Sequence, residues 1–380
     1  MLWLLWFFIG LAVLLSLLSL RGERAREQYY RRMTGQQRHS LTPKASVIVP
    51  VKGMEEGLKE NLASLAALDY PGYELIVVAK SEADLPGQAV PAEARVVLAG
   101  AGDPSTGEKI NNLLAAVASI RPDSEVLVFA DSDGRVSPQW LRALTAALAE
   151  PGVGAATGYR WHLPEHASLW PMLRSVWNAV IAGGMGPGKN NFVWGGATAI
   201  RLQTFRDLNV PAWWKGAISD DYRLSQAVRH AGLRIAFAPG ALVASTDSTT
   251  ASEFLAWSRR QMMITRFYSA GLWKLALFAH VVYCVAMAGA AWLMIQGNTA
   301  AIAALVIQLG IGWWKGHRRI AMARIAMPEW RAWFDRHATL HIALVPIGTW
   351  LWLWSALAAS FSETIEWRGY RLKLRTLPIP

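Results

Sequence analysis

The sequence predicts a membrane-anchored α/β protein. Its soluble core is a mostly parallel sheet, preceded by an N-terminal transmembrane helix and followed by C-terminal membrane helices. Three observations carry this reading. Residues 1–20 form an uncharged apolar run of about the length a helix needs to cross a bilayer. Between residues 44 and 255, short Val- and Ile-rich runs alternate with helix-like stretches. From residue 272 the chain turns apolar again.

Composition agrees. The chain of 380 residues is 53% hydrophobic and holds 20 tryptophans, too apolar and Trp-rich for an ordinary soluble domain. The net charge is +11, and Arg21, Arg24, Arg26, Arg31 and Arg32 bunch beside an apolar run. That placement favours a lipid bilayer surface over nucleic acid as the partner. The single cysteine, Cys284, excludes an intrachain disulfide.

In chain order, residues 1–20 read as a retained anchor. Basic charge follows the run instead of preceding it, unlike a cleavable signal peptide, and so places its C-terminal side in the cytoplasm. Residues 21–43 read as a basic juxtamembrane linker. In the 44–255 domain, "ASVIVPV" (45–51), "YELIVVA" (73–79), "ARVVLAG" (94–100) and "EVLVFAD" (125–131) suit strands buried on both faces. Helix-like stretches fall at 55–68 and 108–120. Residues 256–271 read as an interfacial segment. Within the 272–361 membrane region, 272–295 and 300–314 read as a spanning hairpin around "QGNT", followed by the basic "KGHRR". The segment 339–361 is interrupted by Pro346 and either spans or folds back there. A basic cytoplasmic tail, 362–380, closes the chain. Two spans with a non-spanning last segment put the tail in the cytoplasm; three full spans do not.

Chemistry concentrates where strands end. In "VLVFADSDGRV" a strand runs into Asp131 and Asp133, with Ser132 between them. Ligands of parallel sheets bind beyond the carboxyl ends of the strands. Two carboxylates on a tight turn there suit a hard divalent cation, Mg²⁺ or Mn²⁺, bridged to phosphates; the competing reading is an ordinary acidic turn. A second acidic pair, Asp220 and Asp221, follows Ser219 at a helix start, where capping competes with a role in a cleft. Between the pairs, Gly195 and Gly196 in "WGGATAIR" permit close backbone approach to a ligand or make a plain tight turn. "GDPSTGEK" is not a P-loop, because Glu108 stands where the lysine is needed. No G-x-G-x-x-G follows the first strand, and no Cys/His cluster suits zinc.

At these residues the sequence resembles the family 2 glycosyltransferases of GT-A fold, most closely their membrane-anchored ceramide glucosyltransferase-like branch. The matching pieces occur in order: "VIVPVKG", "ALDYPGYELIVVA", "EKINNLLAA", "ADSDGRV", "GGATAIR" and "SDDYRLSQAVRHAGLRIAFAP". The resemblance implies that Asp131 and Asp133 bind the cation on a UDP-sugar diphosphate and that Asp221 is the catalytic base. It places Lys109 and Asn111 in the donor site, Pro50, Lys52 and Gly53 beside the nucleotide, and Gly195 or Gly196 near the sugar. The chain departs from the family pattern twice. Ser81 stands where an aspartate contacts the uracil, with Glu82 and Asp84 nearby, and Asp84 is favoured. The Q/R-x-x-R-W motif appears as "WSRRQ" (257–261), in which Arg260 fits the arginine that holds a diphosphate, while Arg259 and Arg266 share its reading as membrane-surface basics.

The implied reaction is direct displacement with inversion. It moves a sugar, with glucose as the implied sugar, onto a membrane lipid at the cytoplasmic face of a bacterial-type inner membrane. Among the tryptophans, Trp213 and Trp214 precede the base and are expected to shape the acceptor site. A processive polysaccharide synthase stands as an alternative, against which the chain has few apolar segments and an altered Q/R-x-x-R-W. A non-enzymatic transport or scaffold protein predicts polar residues inside those segments, where His280, Gln308 and His341 are nearly all there is. The sequence leaves the acceptor lipid and the oligomeric state open.

Overall fold

The structure is a computed structural model that describes residues 2–36, 42–367 and 370–380. Two helices open it, α1 (Leu2–Leu18) and α2 (Glu23–Gln36). The α/β core follows, with strands β1 (Ala45–Pro50), β2 (Tyr73–Ala79), β3 (Arg95–Leu98), β4 (Val126–Ala130), β5 (Val153–Thr157), β6 (Arg160–His162), β7 (Ala197–Arg201), β8 (Arg234–Phe237) and β9 (Val243–Ser245). Its helices are α3 (Leu58–Ala66), α4 (Glu108–Val117), α5 (Trp140–Leu148), α6 (Leu169–Ala182), α7 (Leu202–Asp207), α8 (Val210–Trp214) and α9 (Asp220–His230). Then come α10 (Ala251–Tyr268), α11 (Ala270–Ile295), α12 (Thr299–Ala326), α13 (Arg331–Ala343) and α14 (Val345–Ala358), and a hairpin of β10 (Thr364–Trp367) and β11 (Tyr370–Lys373).

Seven strands form one sheet in the order β3-β2-β1-β4-β7-β5-β8. All adjacent pairs are parallel except those of β7, which runs antiparallel to both β4 and β5. The expected mostly parallel α/β sheet is therefore present. Val47, Ile48 and Val49 of β1, and Leu127 and Val128 of β4, are fully buried. Helices cover both faces of these strands, which is why they read as continuous apolar runs. The sequence reading marked only the glycine turn that precedes β7 and had no strand at β5. Reversal of β7 aligns Ala130 with Ala197, which brings the end of β4 against Gly196. A small parallel pair, β6 with β9, lies beside this end of the sheet.

The 21–43 segment differs from a linker lying near headgroups. Its residues 23–36 are helical, and the apolar face of α2 docks on the α/β core. Tyr29 donates its hydroxyl to the Phe237 carbonyl at 2.5 Å, and the Tyr30 ring lies 5.6 Å from that of Phe237. Two tyrosines and Met33 on one helix face supply the burial that a solvated linker lacks. The tail beyond residue 362 is likewise not free. Ile365 pairs with Leu372 across β10–β11, Leu374 is buried, and Arg223 donates to the Pro378 carbonyl at 2.9 Å. Alternating apolar residues hold this basic segment against the core.

Two stretches among the described residues, Leu2–Gly35 and Ala270–Ile295, are helical, long enough and apolar enough to cross a membrane. A third arises if the pair Pro328–Ala343 and Val345–Phe361, bent by 66°, counts as one span. The expected span at 300–314 is not among them. The apolar run of α12 stops at Trp314 while the helix continues through Lys315, Arg318 and Arg319. The bend near Pro346 follows from the missing proline N–H and the steric limit on the residue before it. Helices α1, α11 and α12 pack through small residues, among them Ala12, Ala286, Ala290 and Ala301.

Docking of α2 yields a stability prediction. Tyr30→Ala removes a fully buried ring and is expected to cost about 3–5 kcal/mol. Tyr29→Phe removes one hydrogen bond and is expected to cost about 1 kcal/mol. Thermal unfolding in detergent, followed by tryptophan fluorescence, should order the midpoints as wild type, Tyr29→Phe, Tyr30→Ala. Equal midpoints for wild type and Tyr30→Ala would show that α2 adds nothing to the fold.

Candidate active site

Residues from distant parts of the chain meet beyond the carboxyl ends of β1 and β4. Asp131 follows β4 directly. Lys109, in the first turn of α4, places Nζ 2.8 Å from Asp131 Oδ1 and 3.3 Å from Asp220 Oδ1. Arg160, at the start of β6, reaches back to the same turn. Its Nη1 and Nη2 lie 2.9 and 2.5 Å from the two oxygens of Asp133, and Nη2 is 3.4 Å from Asp131 Oδ2. The fork suits a carboxylate bidentately. The Arg160 guanidinium also lies 5.2 Å from the Trp194 ring centre.

Burial and charge oppose each other here. Burial works against the charge on Lys109, but Asp131 and Asp220 outweigh it and raise the ammonium pKa well above its usual value. Asp133 and Asp131 do the same for Arg160. Burial pushes Asp220 up to about 6, although Lys109 pulls the other way.

The second acidic pair both caps and lines the cleft. Ser219 is the N-cap of α9 and accepts from the Tyr222 N–H at 3.2 Å. Asp221 Oδ1 also accepts from that N–H, at 2.7 Å, and from the Ser219 hydroxyl. Trp214 donates to the Asp220 carbonyl at 2.9 Å. Close approach explains the glycine pair. A Cβ on Gly195 would lie 2.4 Å from Asp220 Oδ2 and 2.8 Å from Lys109 Nζ. One on Gly196 would lie 2.7 Å from Asp131 Oδ2 and closer still to the Trp194 ring.

One cavity of about 1040 Å³ connects these groups. Pro50, Lys52, Lys109, Asn111, Asp131, Ser132, Asp133, Asp220, Asp221 and Arg260 all line it. Lys52 pairs with Glu108 at 3.1 Å. Gly195 and Gly196 stand behind the carboxylates. Gly53 and Asp84 lie outside the lining, the Gly53 N–H bonded to the Asp84 carbonyl at 2.6 Å. The expectation for Trp213 and Trp214 is corrected. Trp214 is fully buried against Phe129 and Phe205, and Trp213 packs on Arg223 and His230. A tryptophan that supports Asp220 from beneath cannot also face an acceptor. The lining tryptophans are Trp177, Trp194, Trp257 and Trp352, contributed by four separate parts of the chain. Sequence reasoning missed Arg160, His162, Arg174 and Asp247, which also line the cavity. The "YRWH" alternation at 159–162 was the available signal for the first two.

Whether a divalent cation fits can be tested on the donor set. Among the described residues, no group of three or more His, Cys, Asp or Glu is arranged to cage a metal ion. The Asp131–Asp133 pair suits the other mode, in which one or two carboxylates hold a hard cation and substrate phosphates complete its shell.

A family model described as glycosyl transferase family 21 matches residues 4–378. Two solved structures of glucosyl-3-phosphoglycerate synthase from Mycobacterium tuberculosis are also similar. The complex with phosphoglyceric acid is 17% identical with a TM-score of 0.41, and the complex with Mn²⁺ and UDP-glucose is 18% identical with a TM-score of 0.40. Each match covers 63% of this chain and 83% of the other. These distant likenesses add nothing to the site argument, whereas the family match spans nearly the whole chain. The motifs resembled family 2, and the match is to another glycosyltransferase family: the chain belongs to glycosyl transferase family 21.

Proposed function

We propose that the protein transfers a sugar from a UDP-sugar, glucose being the sugar we infer, to a membrane lipid at the cytoplasmic face of a bacterial-type inner membrane, with inversion. The observation that carries this reading is the continuity of the cavity. It runs from the carboxylate cluster, past Trp177 and Trp257, to Leu272, Leu275, Ala276 and Ala279 of α11. That helix is itself long and apolar enough to cross a membrane. A cavity that is charged at one end and apolar beside a membrane helix suits a nucleotide sugar and a lipid that meet in the middle. Ceramide-like lipids are one such acceptor class.

In this reading Lys109, Asn111, Lys52 and Arg260 bind the donor, and Lys109 and Arg160 keep the carboxylate cluster charged and ordered. Asp131 and Asp133 would hold the divalent cation. When bound, the cation offsets negative charge on the departing diphosphate. Asp221 takes the proton of the acceptor hydroxyl as that oxygen attacks the anomeric carbon. One base with direct displacement inverts that carbon. The channel toward α11 favours a single transfer to a lipid over chain elongation.

UDP release by purified protein in detergent tests the donor side, with each UDP-sugar in turn and with or without Mn²⁺ or Mg²⁺. Asp221→Asn is expected to lower kcat by about 10²–10⁴ with little change in donor KM. Asp133→Ala is expected to abolish the response to the cation. A fully active Asp221→Asn would remove the base assignment. The acceptor side is tested by Ala279→Trp, which fills the apolar end of the cavity. Transfer to lipid should fall at least tenfold while UDP binding by calorimetry stays unchanged; undiminished transfer would place the lipid elsewhere.

A further inference from the structure

Strand β6 points alternate side chains to opposite faces. Trp161 packs away from the cavity, 6.0 Å from Phe334. Arg160 and His162 share the other face and both line the cavity. Arg160 is committed to Asp131 and Asp133. His162 is 1% exposed, and among the described residues neither ring nitrogen meets a hydrogen-bond partner. Asp247, just beyond β9, turns Oδ2 to Arg174 Nη1 at 2.8 Å. Its Oδ1 is buried, without a hydrogen-bond partner among the described residues, and 4.0 Å from His162 Nδ1. Buried polar atoms left unpaired are rare in native proteins, and here they face each other across one gap.

The gap has a definite size. An oxygen about 2.8 Å from each of two atoms 4.0 Å apart bridges them from beside the line that joins them, because half their separation is shorter than one hydrogen bond. With the ring proton on Nδ1, the tautomer that turns a donor toward the carboxylate, the group that bridges must donate to the carboxylate and accept from that N–H. A hydroxyl does both; an ether or ester oxygen cannot donate, and an ammonium cannot accept. Burial, with Arg174 and Arg160 nearby, lowers the His162 pKa well below its usual value, so the ring is neutral and holds one N–H.

A hydroxyl here could belong to the donor sugar or to the acceptor, and position favours the acceptor. The His162 ring meets the edge of Trp257 at 5.6 Å. Trp257 is 5.0 Å from Trp177, Trp177 stacks on Trp352 at 4.3 Å, and Trp352 stacks on His280 of α11 at 5.1 Å. All of these rings line the cavity on its way to the membrane helix. We propose that His162 and Asp247 form a recognition subsite for a second hydroxyl of the acceptor headgroup, distinct from the hydroxyl that reacts at Asp221. The acceptor is thereby a lipid with at least two hydrogen-bonding groups in its headgroup. This rests on the reading of the cavity as a joint donor and acceptor site.

The test uses the full-length protein in detergent, with a long-chain vicinal diol and the primary alcohol of equal chain length as probes. Binding of each is measured by calorimetry, and transfer from the UDP-sugar by UDP release. Wild type should bind and glycosylate the diol at least about tenfold better than the alcohol. His162→Phe keeps the ring against Trp257, and Asp247→Asn keeps the contact with Arg174. Both should bring that ratio near one and leave UDP affinity unchanged. An unchanged ratio in either variant overturns the subsite and leaves only a buried water in the gap. Weaker UDP-sugar binding with unchanged UDP binding assigns the hydroxyl to the donor sugar and also overturns it. If the diol preference in binding depends on His162 but no sugar is transferred, the subsite stands and the proposed function falls. If transfer proceeds with a ratio indifferent to His162, the reverse holds.

Discussion

The site depends on one half-buried electrostatic knot. Asp131, Asp133 and Asp220 would repel one another if brought together alone, and Lys109 and Arg160 sit between them. Lys109 ties β4 to α9, and Arg160 ties the turn after β4 to β6. Loss of one partner from this part-buried set leaves a charge uncompensated, at a cost that solvent at the exposed Asp133 reduces. The glycine pair follows from the same constraint, since any Cβ at Gly195 or Gly196 would enter the space that these carboxylates occupy. The knot also sets the chemistry. In the proposed reading it presents oxygen ligands and fixed positive charge toward a diphosphate, with no group of three or more metal-ligating side chains among the described residues.

The second organising feature is the seam between the α/β core and the membrane helices. Helix α6 of the core lends Trp177, which stacks on Trp352 of α14 and meets Trp257 of α10 edge-on. Trp177 donates to Ser355, and Trp352 donates to the Trp177 carbonyl at 3.0 Å. Large flat side chains with one polar edge suit such a seam, where packing must stay dense while a cavity passes beside it. The C-terminal hairpin adds Ile365 and Leu372 to the same wall. The cavity is thus enclosed partly by segments that look peripheral in the sequence.

Much of the core was legible because local signals and global fold agree. The runs at 45–51, 73–79 and 125–131 contain β1, β2 and β4 almost residue for residue, since strands buried on both faces are mostly apolar, with Ser46 and Glu74 the buried polar exceptions in β1 and β2. Asp131, Asp133, Asp220 and Asp221 stood out as two acidic pairs at a strand end and a helix start; turn and capping roles competed for them, and all four line the cavity. Arg160 and Asp247 did not stand out. Each is one charged residue in an ordinary context until β6 and β9 pair and bring both to the carboxylate turn.

By itself the sequence determined the class of fold, the presence of membrane-length apolar segments, and the acidic motifs and their order along the chain. These are set by period, length and residue type, all of which are local. Tertiary structure alone decided that β7 reverses, that α2 packs on the core and Ile365, Leu372 and Leu374 join its wall, and that Trp214 supports Asp220 from below. It alone assembled the cavity wall from α6, α10, α11 and α14. Those outcomes depend on which surfaces meet in space, in some cases across long stretches of chain, as Tyr29 meets Phe237. A tryptophan reads the same in sequence whether its face is turned to a core, a lipid or a ligand, and only packing chooses among them.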